Sequence, residues 1–265
     1  MSHVIAIANQ KGGVGKTTTA INLGASLAAA ELRTLIIDLD PQGNTTSGLG
    51  VDPYEQSASL YSVLLDMAPL GMAISRSVHL PLLDVVPTTV DLAGVEVELP
   101  EMPEWQLRLR GALSGLRGLY DYVLLDCSPS FSVLTLNALS AADSVLVPVQ
   151  AEYFALEGLS QFTDLMRVVR QHLNPGLRVE GVLLTMVDQR LGLTRQVTEE
   201  VRKHFGPELL QTVIPRNVTL AEAPGFGKPV LTYRIDSVGA QAYLALAREI
   251  IGRTRAPRMP RRAAG

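Results

Sequence analysis

The sequence predicts an α/β protein built on a doubly wound, mostly parallel sheet, and three observations carry that prediction. Short apolar runs alternate with longer stretches of helical period, the pattern of parallel strands joined by crossover helices. A glycine-rich turn follows the first run directly and opens the first helical stretch. Two later runs end in aspartate, at the strand ends where sites in open α/β sheets gather.

The elements follow in order. Residues 4–8 read as the first strand and residues 17–30, rich in Ala and Leu, as the first helix. Residues 33–38 form a second strand ending in acid, residues 60–67 a helix, and residues 82–86 a third strand. Residues 122–126 and 144–149 are two further buried strands, with a helix at 132–141 between them. Helices at 156–172, 194–204 and 238–251 alternate with strands at 179–185 and 212–214. No repeat or linker interrupts residues 1–251, so they are expected to form one domain, followed at residues 252–265 by a disordered tail.

Composition excludes several classes. At 47% hydrophobic and 18% charged, the 265-residue chain is neither a disordered polymer nor a disulfide scaffold. No apolar run approaches the roughly 20 residues that cross a bilayer, which predicts a protein without a membrane span. One cysteine, Cys127, and four dispersed histidines offer neither a disulfide nor a metal cluster, and a reducing cytoplasm is the expected compartment. The net charge of −3 argues against a surface basic all over. Five arginines and no acid lie in residues 252–265, which leaves −8 on the remainder.

The motif that carries chemistry runs from Asn9 to Thr18, NQKGGVGKTT, between the first strand and the first helix. Gly12, Gly13 and Gly15, with Val14 among them, let backbone N–H groups converge on phosphate oxygens, and the helix N-terminus adds partial positive charge. Lys16 is placed to reach the β- and γ-phosphates, and the Thr17 hydroxyl, followed by Thr18, to ligate Mg²⁺. This is a P-loop, and its expected cofactors are a nucleoside triphosphate and Mg²⁺. The usual pattern G-x-x-x-x-G-K-[ST] has glycine where this chain has Gln10, and a second lysine, Lys11, follows at once.

Asp126 closes the apolar run 122–125 and is expected to hold the magnesium, through water, as a Walker-B residue; a capping or turn acid would read similarly. The second strand ends Asp38-Leu39-Asp40-Pro41-Gln42-Gly43-Asn44. Asp38 and Asp40 are expected to diverge, so that at most one faces an attacking water. Both also suit a simple Pro- and Gly-containing turn.

The blocks KGGVGKTTTAINL, DLDPQGN, VLLDCSPS, PVQAEYFALEGL and VIPRNVTLAEAPGFGKPV together resemble the deviant-Walker-A ATPases of the ParA/Soj partitioning type, from about residue 3 to residue 250. The resemblance implies an ATPase that dimerises around ATP and binds bulk DNA. It implies slow hydrolysis until a centromere-binding, ParB-like partner stimulates it, in chromosome or plasmid partitioning, with the protein cytoplasmic and on the nucleoid. It also implies that Lys11 reaches across the dimer to the partner's phosphates, that Asp40 orients or activates the hydrolytic water, and that Pro215, Arg216 and Asn217 lie on the adenine side. The motif begins ten residues in, as in the short form without an N-terminal helix-turn-helix, for which DNA binding is expected to be non-specific.

Departures from the resemblance define the remaining expectations. The Walker-B loop reads Asp126-Cys127-Ser128-Pro129 where members of that group usually carry two prolines. Arg190 matches a DNA-binding position, and Arg195 and Arg202 are further candidate phosphate contacts, although all three also read as solvated helix charges. Thr219 stands where relatives often carry arginine, so the tail becomes a candidate phosphate tether, or else a solubilising end. A MinD-like or cargo-positioning ATPase of the same superfamily is the alternative. Prolines at 257 and 260 argue against a C-terminal membrane helix, and one cysteine per chain is too few for a shared iron–sulfur cluster.

Overall fold

The computed structural model describes residues 2–152, 155–188, 190 and 192–255. Six strands, β1 His3–Ile7, β2 Thr34–Leu39, β3 Leu83–Val86, β4 Tyr122–Cys127, β5 Ser144–Gln150 and β6 Arg178–Thr185, form one sheet in the order β3-β2-β4-β1-β5-β6. Every pairing in it is parallel. The carboxyl ends of all six strands therefore share one edge, and the loops leaving that edge build the site.

The strands read as continuous apolar runs because both faces of the sheet are covered. Along β1 the side chains alternate between two cores: Val4 and Ala6 enter one, Ile5 and Ile7 the other. Helices α1 (Lys16–Ala29) and α11 (Val238–Arg255) cover the second face through Ala20, Leu23, Leu27, Tyr243 and Ile250. Gly24 permits this packing, since a Cβ there would lie 2.6 Å from Ile36 Cδ1. The first face is covered by α3 (Leu60–Leu64), α5 (Arg108–Ser114), α6 (Val133–Ala141), α7 (Ala155–His172) and α8 (Gly192–Phe205). Four short α-helices lie between these elements, α2 (Asn44–Gly48) after β2, α4 (Val95–Glu98), α9 (Val218–Glu222) and α10 (Val230–Tyr233), along with several single turns of 3-10 helix.

The structure differs from the sequence-based expectation in three elements. The strand predicted at 212–214 does not form. Within it only Ile214 N–H bonds β6, at the Leu184 carbonyl, and the Ile214 carbonyl accepts from Val187, beyond β6; the preceding contact is at Leu210, whose N–H reaches the Val182 carbonyl. The helix predicted at 60–67 stops at Leu64, with Asp66 in the left-handed region at φ 60°. The boundary predicted at residue 252 falls inside α11, which continues to Arg255. Arg253 ties this last turn to the body, donating to the carbonyls of Glu180, Pro207 and Leu209 and to the Glu249 carboxylate 3.0 Å away. The rest of the predicted tail, residues 256–265, lies outside the described residues.

Candidate functional site

At the carboxyl edge of the sheet, β1 runs into a loop whose path needs glycine twice: Gly13 at φ +72° and Gly15 at φ +87° both sit in the left-handed region. Gly15 is the N-cap of α1 and supplies no side-chain acceptor, so the first-turn N–H groups have no side-chain cap. No acidic residue stands in that turn. The result is a 14-residue helix whose N-terminus points positive potential at the loop cavity without internal neutralisation. The loop is pinned by Thr185 at the end of β6, two strands from β1 in the sheet, whose hydroxyl donates to the Val14 carbonyl at 2.8 Å.

The cavity, about 430 Å³, is lined by Gly12, Gly13, Gly15, Lys16, Thr17, Thr18 and Asp40, together with Gln42, Asn44, Pro129 and Met186. A second cavity of about 200 Å³ shares Gly15, Thr18 and Met186 with the first, and Pro215, Arg216 and Asn217 line its far side. The two adjoin at these shared residues, the first more polar over the loop and the second more apolar, where Ile214, Leu220 and Tyr243 contribute. Asn217 also caps α9, its side chain accepting from Leu220 N–H.

Lys16 is buried, and its ammonium donates to the Lys11 carbonyl at 3.1 Å. Burial lowers its pKa, against the negative potential of Asp126, Cys127 and Asp40. The Lys11 side chain does not line either cavity. Its Nζ pairs with the Glu152 carboxylate at 3.2 Å on the surface, and Gln150 holds the other Glu152 oxygen at 2.6 Å.

Three aspartates cluster below the loop. Asp38 and Asp126 face each other in the β2–β4 register. On an extended strand Asp38 and Asp40, two residues apart, would share a face; they diverge because β2 ends at Leu39 and the chain turns. Both Asp38 oxygens are consumed internally. One accepts from Asp40 N–H at 3.2 Å, the other from the N–H and hydroxyl of Thr46 at 2.9 and 2.7 Å. Asp40 spends one oxygen on Gln42 N–H at 3.0 Å and lines the cavity. Of the pair, Asp40 is the one that faces the site.

Asp126 is fully buried at the end of β4. Its Oδ2 accepts the Thr45 hydroxyl at 2.7 Å, while Oδ1 is buried without a hydrogen-bond partner. Burial first, and then the neighbouring Asp38 charge, raise its pKa against the Thr45 and Thr17 hydroxyls; Asp38 is raised likewise by burial. An orphaned carboxylate oxygen beside a threonine hydroxyl, in a cluster of like charges, fits a hard divalent cation. Such a cation takes oxygen ligands and would reverse both shifts. Cys127, next along the strand, is buried, and desolvation pushes its thiol up, so it is a packing residue.

Of the candidate DNA contacts, neither Arg190 nor Arg202 lines either cavity. Arg190 is exposed and pairs with Asp188 at 3.2 Å. Arg202 is exposed on α8, and Arg195 lies on the same helix. Thr219 is buried on α9. Sequence reasoning passed over Thr45, Thr46, Glu152 and Thr185, because their partners lie 81, 8, 141 and 171 residues away. Among the described residues no helix is long and apolar enough to cross a membrane.

Comparison with known proteins places this geometry. Residues 2–179 match the family described as AAA domain (AAA_31). The chromosome partitioning protein ParA of Myxococcus xanthus (strain DK1622) is 52% identical over 262 residues, which is 99% of this chain and 92% of the relative. The sporulation initiation inhibitor protein Soj of Bacillus subtilis (strain 168) is 51% identical over 250 residues, 94% of this chain and 98% of the relative. Among solved structures, cobyrinic acid a,c-diamide synthase from Mycobacterium smegmatis with bound ATP analogue and magnesium superposes with a TM-score of 0.84 at 36% identity, covering 97% of this chain and 98% of that one. Identity at this level along nearly the whole length, over a phosphate loop with paired lysines, settles the kinship: the chain belongs to the ParA/Soj family of chromosome-partitioning ATPases.

Proposed function

We propose that the protein binds ATP with Mg²⁺, dimerises in that state, binds DNA without sequence preference, and hydrolyses ATP slowly until a ParB-like partner accelerates it during chromosome or plasmid partitioning. The observation that carries the reading is the convergence of the uncapped α1 N-terminus, Lys16, Thr17 and Asp40 on one cavity, with the orphaned oxygen of Asp126 beneath it. The loop N–H groups and Lys16 hold the phosphates, and the pocket of Pro215, Arg216 and Asn217 takes the base. Thr17 and Asp126 are the residues that hold the cation, which when bound neutralises charge developing on the phosphates. Asp40 orients the water whose oxygen attacks the γ-phosphorus and accepts its proton as the bond to the ADP oxygen breaks. The charge of Asp40 on the cavity wall and its buried backing by Asp38 support that role.

Lys11 completes the site from the opposite protomer. Its pairing with Glu152 is a surface contact, both side chains about a third to a half exposed, and such pairs contribute only about 0–1 kcal/mol. Releasing it to reach a partner's phosphates costs little, and two lysines then offset one triphosphate. Arg190, Arg195 and Arg202 supply phosphate contacts for DNA, and the arginines of residues 256–265, beyond the end of α11, a further basic tether. The protein works in the cytoplasm, on the nucleoid.

Sedimentation velocity with a slowly hydrolysed ATP analogue and Mg²⁺, with and without random-sequence duplex, tests this. The wild type is expected to sediment as a dimer and to carry DNA. Lys11→Ala is expected to bind nucleotide yet remain monomeric, and Arg190→Ala to dimerise with weakened, less salt-dependent DNA binding. A normal dimer for Lys11→Ala overturns the cross-protomer role, and full DNA binding by Arg190→Ala removes that residue from the interface.

A further inference from the structure

We propose that Thr45 is a positioning residue that joins the cation side of the site to the segment carrying Asp40, through one hydroxyl shared with Asp126. The inference rests on the reading of Asp126 as a cation-side carboxylate and adds to it a second, distant element.

The geometry is a pair of side-by-side bridges. Asp38 and Asp126 are register partners on β2 and β4, and adjacent threonines of α2 reach back to them. Thr46 takes Asp38 with both its N–H and its hydroxyl, and its hydroxyl oxygen in turn accepts from Thr88 N–H at 3.0 Å. That bridge is closed, since every Asp38 oxygen has a partner and Thr46 is anchored again beyond β3. The Thr45 bridge is different. Thr45 is wholly buried and donates at 2.7 Å to one oxygen of Asp126, whose other oxygen has no partner. The hydroxyl thus engages the carboxylate on the α2 side and leaves the opposite oxygen for the phosphate-loop side.

Two consequences follow from one bond. Thr45 sets the rotation of the Asp126 carboxylate, as outer partners of metal ligands do; removing such a partner typically costs about 10- to 100-fold in metal affinity. It also fastens α2, and α2 is joined to Asp40 by a turn of three residues in which Gly43 N–H bonds the Asp40 carbonyl at 2.9 Å. A ligand that draws Asp126 into a fixed orientation therefore also fixes the base of the Asp40 turn.

The test compares wild type, Thr45→Val and Thr45→Ser by two measurements: the affinity for fluorescently labelled ADP with Mg²⁺ and with EDTA, and hydrogen exchange of residues 40–48 in the same conditions. In the wild type Mg²⁺ is expected to tighten ADP binding and to slow exchange in that segment. A wild type indifferent to Mg²⁺ overturns the reading of Asp126 itself. Thr45→Val is expected to bind ADP in EDTA as the wild type does, to lose about 10-fold or more of the gain from Mg²⁺, and to lose the Mg²⁺-dependent slowing of residues 40–48. Thr45→Ser, which keeps the hydroxyl, is expected to restore both. If the valine methyl displaces Asp126 and the variant melts early, Thr45→Ala carries the same comparison without added bulk. A valine or alanine variant that retains the full Mg²⁺ gain and the slowing overturns the role of Thr45, as does a serine variant that restores neither.

Discussion

Replacing Asp40 by asparagine isolates its chemistry from its architecture. Asp40 is 7% exposed, lines the phosphate cavity, and uses one oxygen to hold Gln42 N–H at 3.0 Å. Asparagine retains that acceptor and nearly the same volume, so the turn is expected to survive, and only the charge and basicity are lost. A positioned acid–base group contributes about 10²- to 10⁴-fold in rate, equivalent to roughly 2.7–5.4 kcal/mol of barrier at 1.36 kcal/mol per decade. Stability moves the other way. Asp40 adds repulsion that helps to raise both Asp38 and Asp126, so its neutralisation relieves a like-charge cluster and the ligand-free melting temperature is expected to hold or rise. Single-turnover phosphate release, labelled-ATP affinity and thermal unfolding measured on one preparation separate these effects. The expected result is hydrolysis down at least 100-fold, nucleotide affinity within about threefold, and no loss of stability. Phosphate release within threefold of the wild type would show that Asp40 is a turn residue, and a large loss of ATP binding would show that its role lies in the ground state.

Two further outcomes test how the base-side pocket is held. Gly181→Ala places a Cβ 2.6 Å from Leu210 on the segment leading to Pro215, Arg216 and Asn217, so overpacking is expected to cost about 1–3 kcal/mol and to weaken nucleotide binding; an unchanged melting temperature and affinity would refute the close approach. Glu249 accepts the Gln211 and Thr212 N–H groups at 2.9 Å each and pairs with Arg253, contacts that outweigh burial and hold its carboxyl below the usual 4.5. A carboxylate depressed in the folded state adds stability that is present above its unfolded pKa and is lost as the pH falls through the folded one. Glu249→Gln is therefore expected to be less stable than the wild type at pH 7 by up to about 1 kcal/mol after solvent screening, with the gap narrowing as the pH falls through the depressed carboxyl pKa; a gap that does not change with pH would refute the ionic role.

The parts of this molecule that could be read from the sequence are those in which the relevant residues are neighbours along the chain. The glycines, Lys16 and Thr17 lie within six residues, and each has a local reason to be there: two left-handed turns, a helix start, a charge and a hydroxyl. The six strands declared themselves because burial on both faces leaves unbroken apolar runs. Residues 212–214 imitate that pattern at a length too short to decide between a strand and a segment docked against β6. The roles of Asp38 and Asp40 turned on where β2 ends, a matter of one or two residues that propensity does not resolve. Lys11 against Glu152 and Thr45 against Asp126 depend on the order in which strands enter the sheet, so no local pattern announces them. Arg253 looked like the start of a basic tail because its partners on β6 and the 207–209 segment are distant in sequence.

The hydrogen bond from Lys16 to the Lys11 carbonyl has a mechanical meaning. An ammonium carries three N–H donors, so Lys16 can keep that carbonyl and still present two donors to the cavity it lines, bracing the loop backbone from within. The peptide so braced belongs to the residue whose side chain is tethered to Glu152 at the surface. One residue, Lys11, therefore carries a contact on each side of the loop, its carbonyl with the inner lysine and its ammonium with the surface carboxylate.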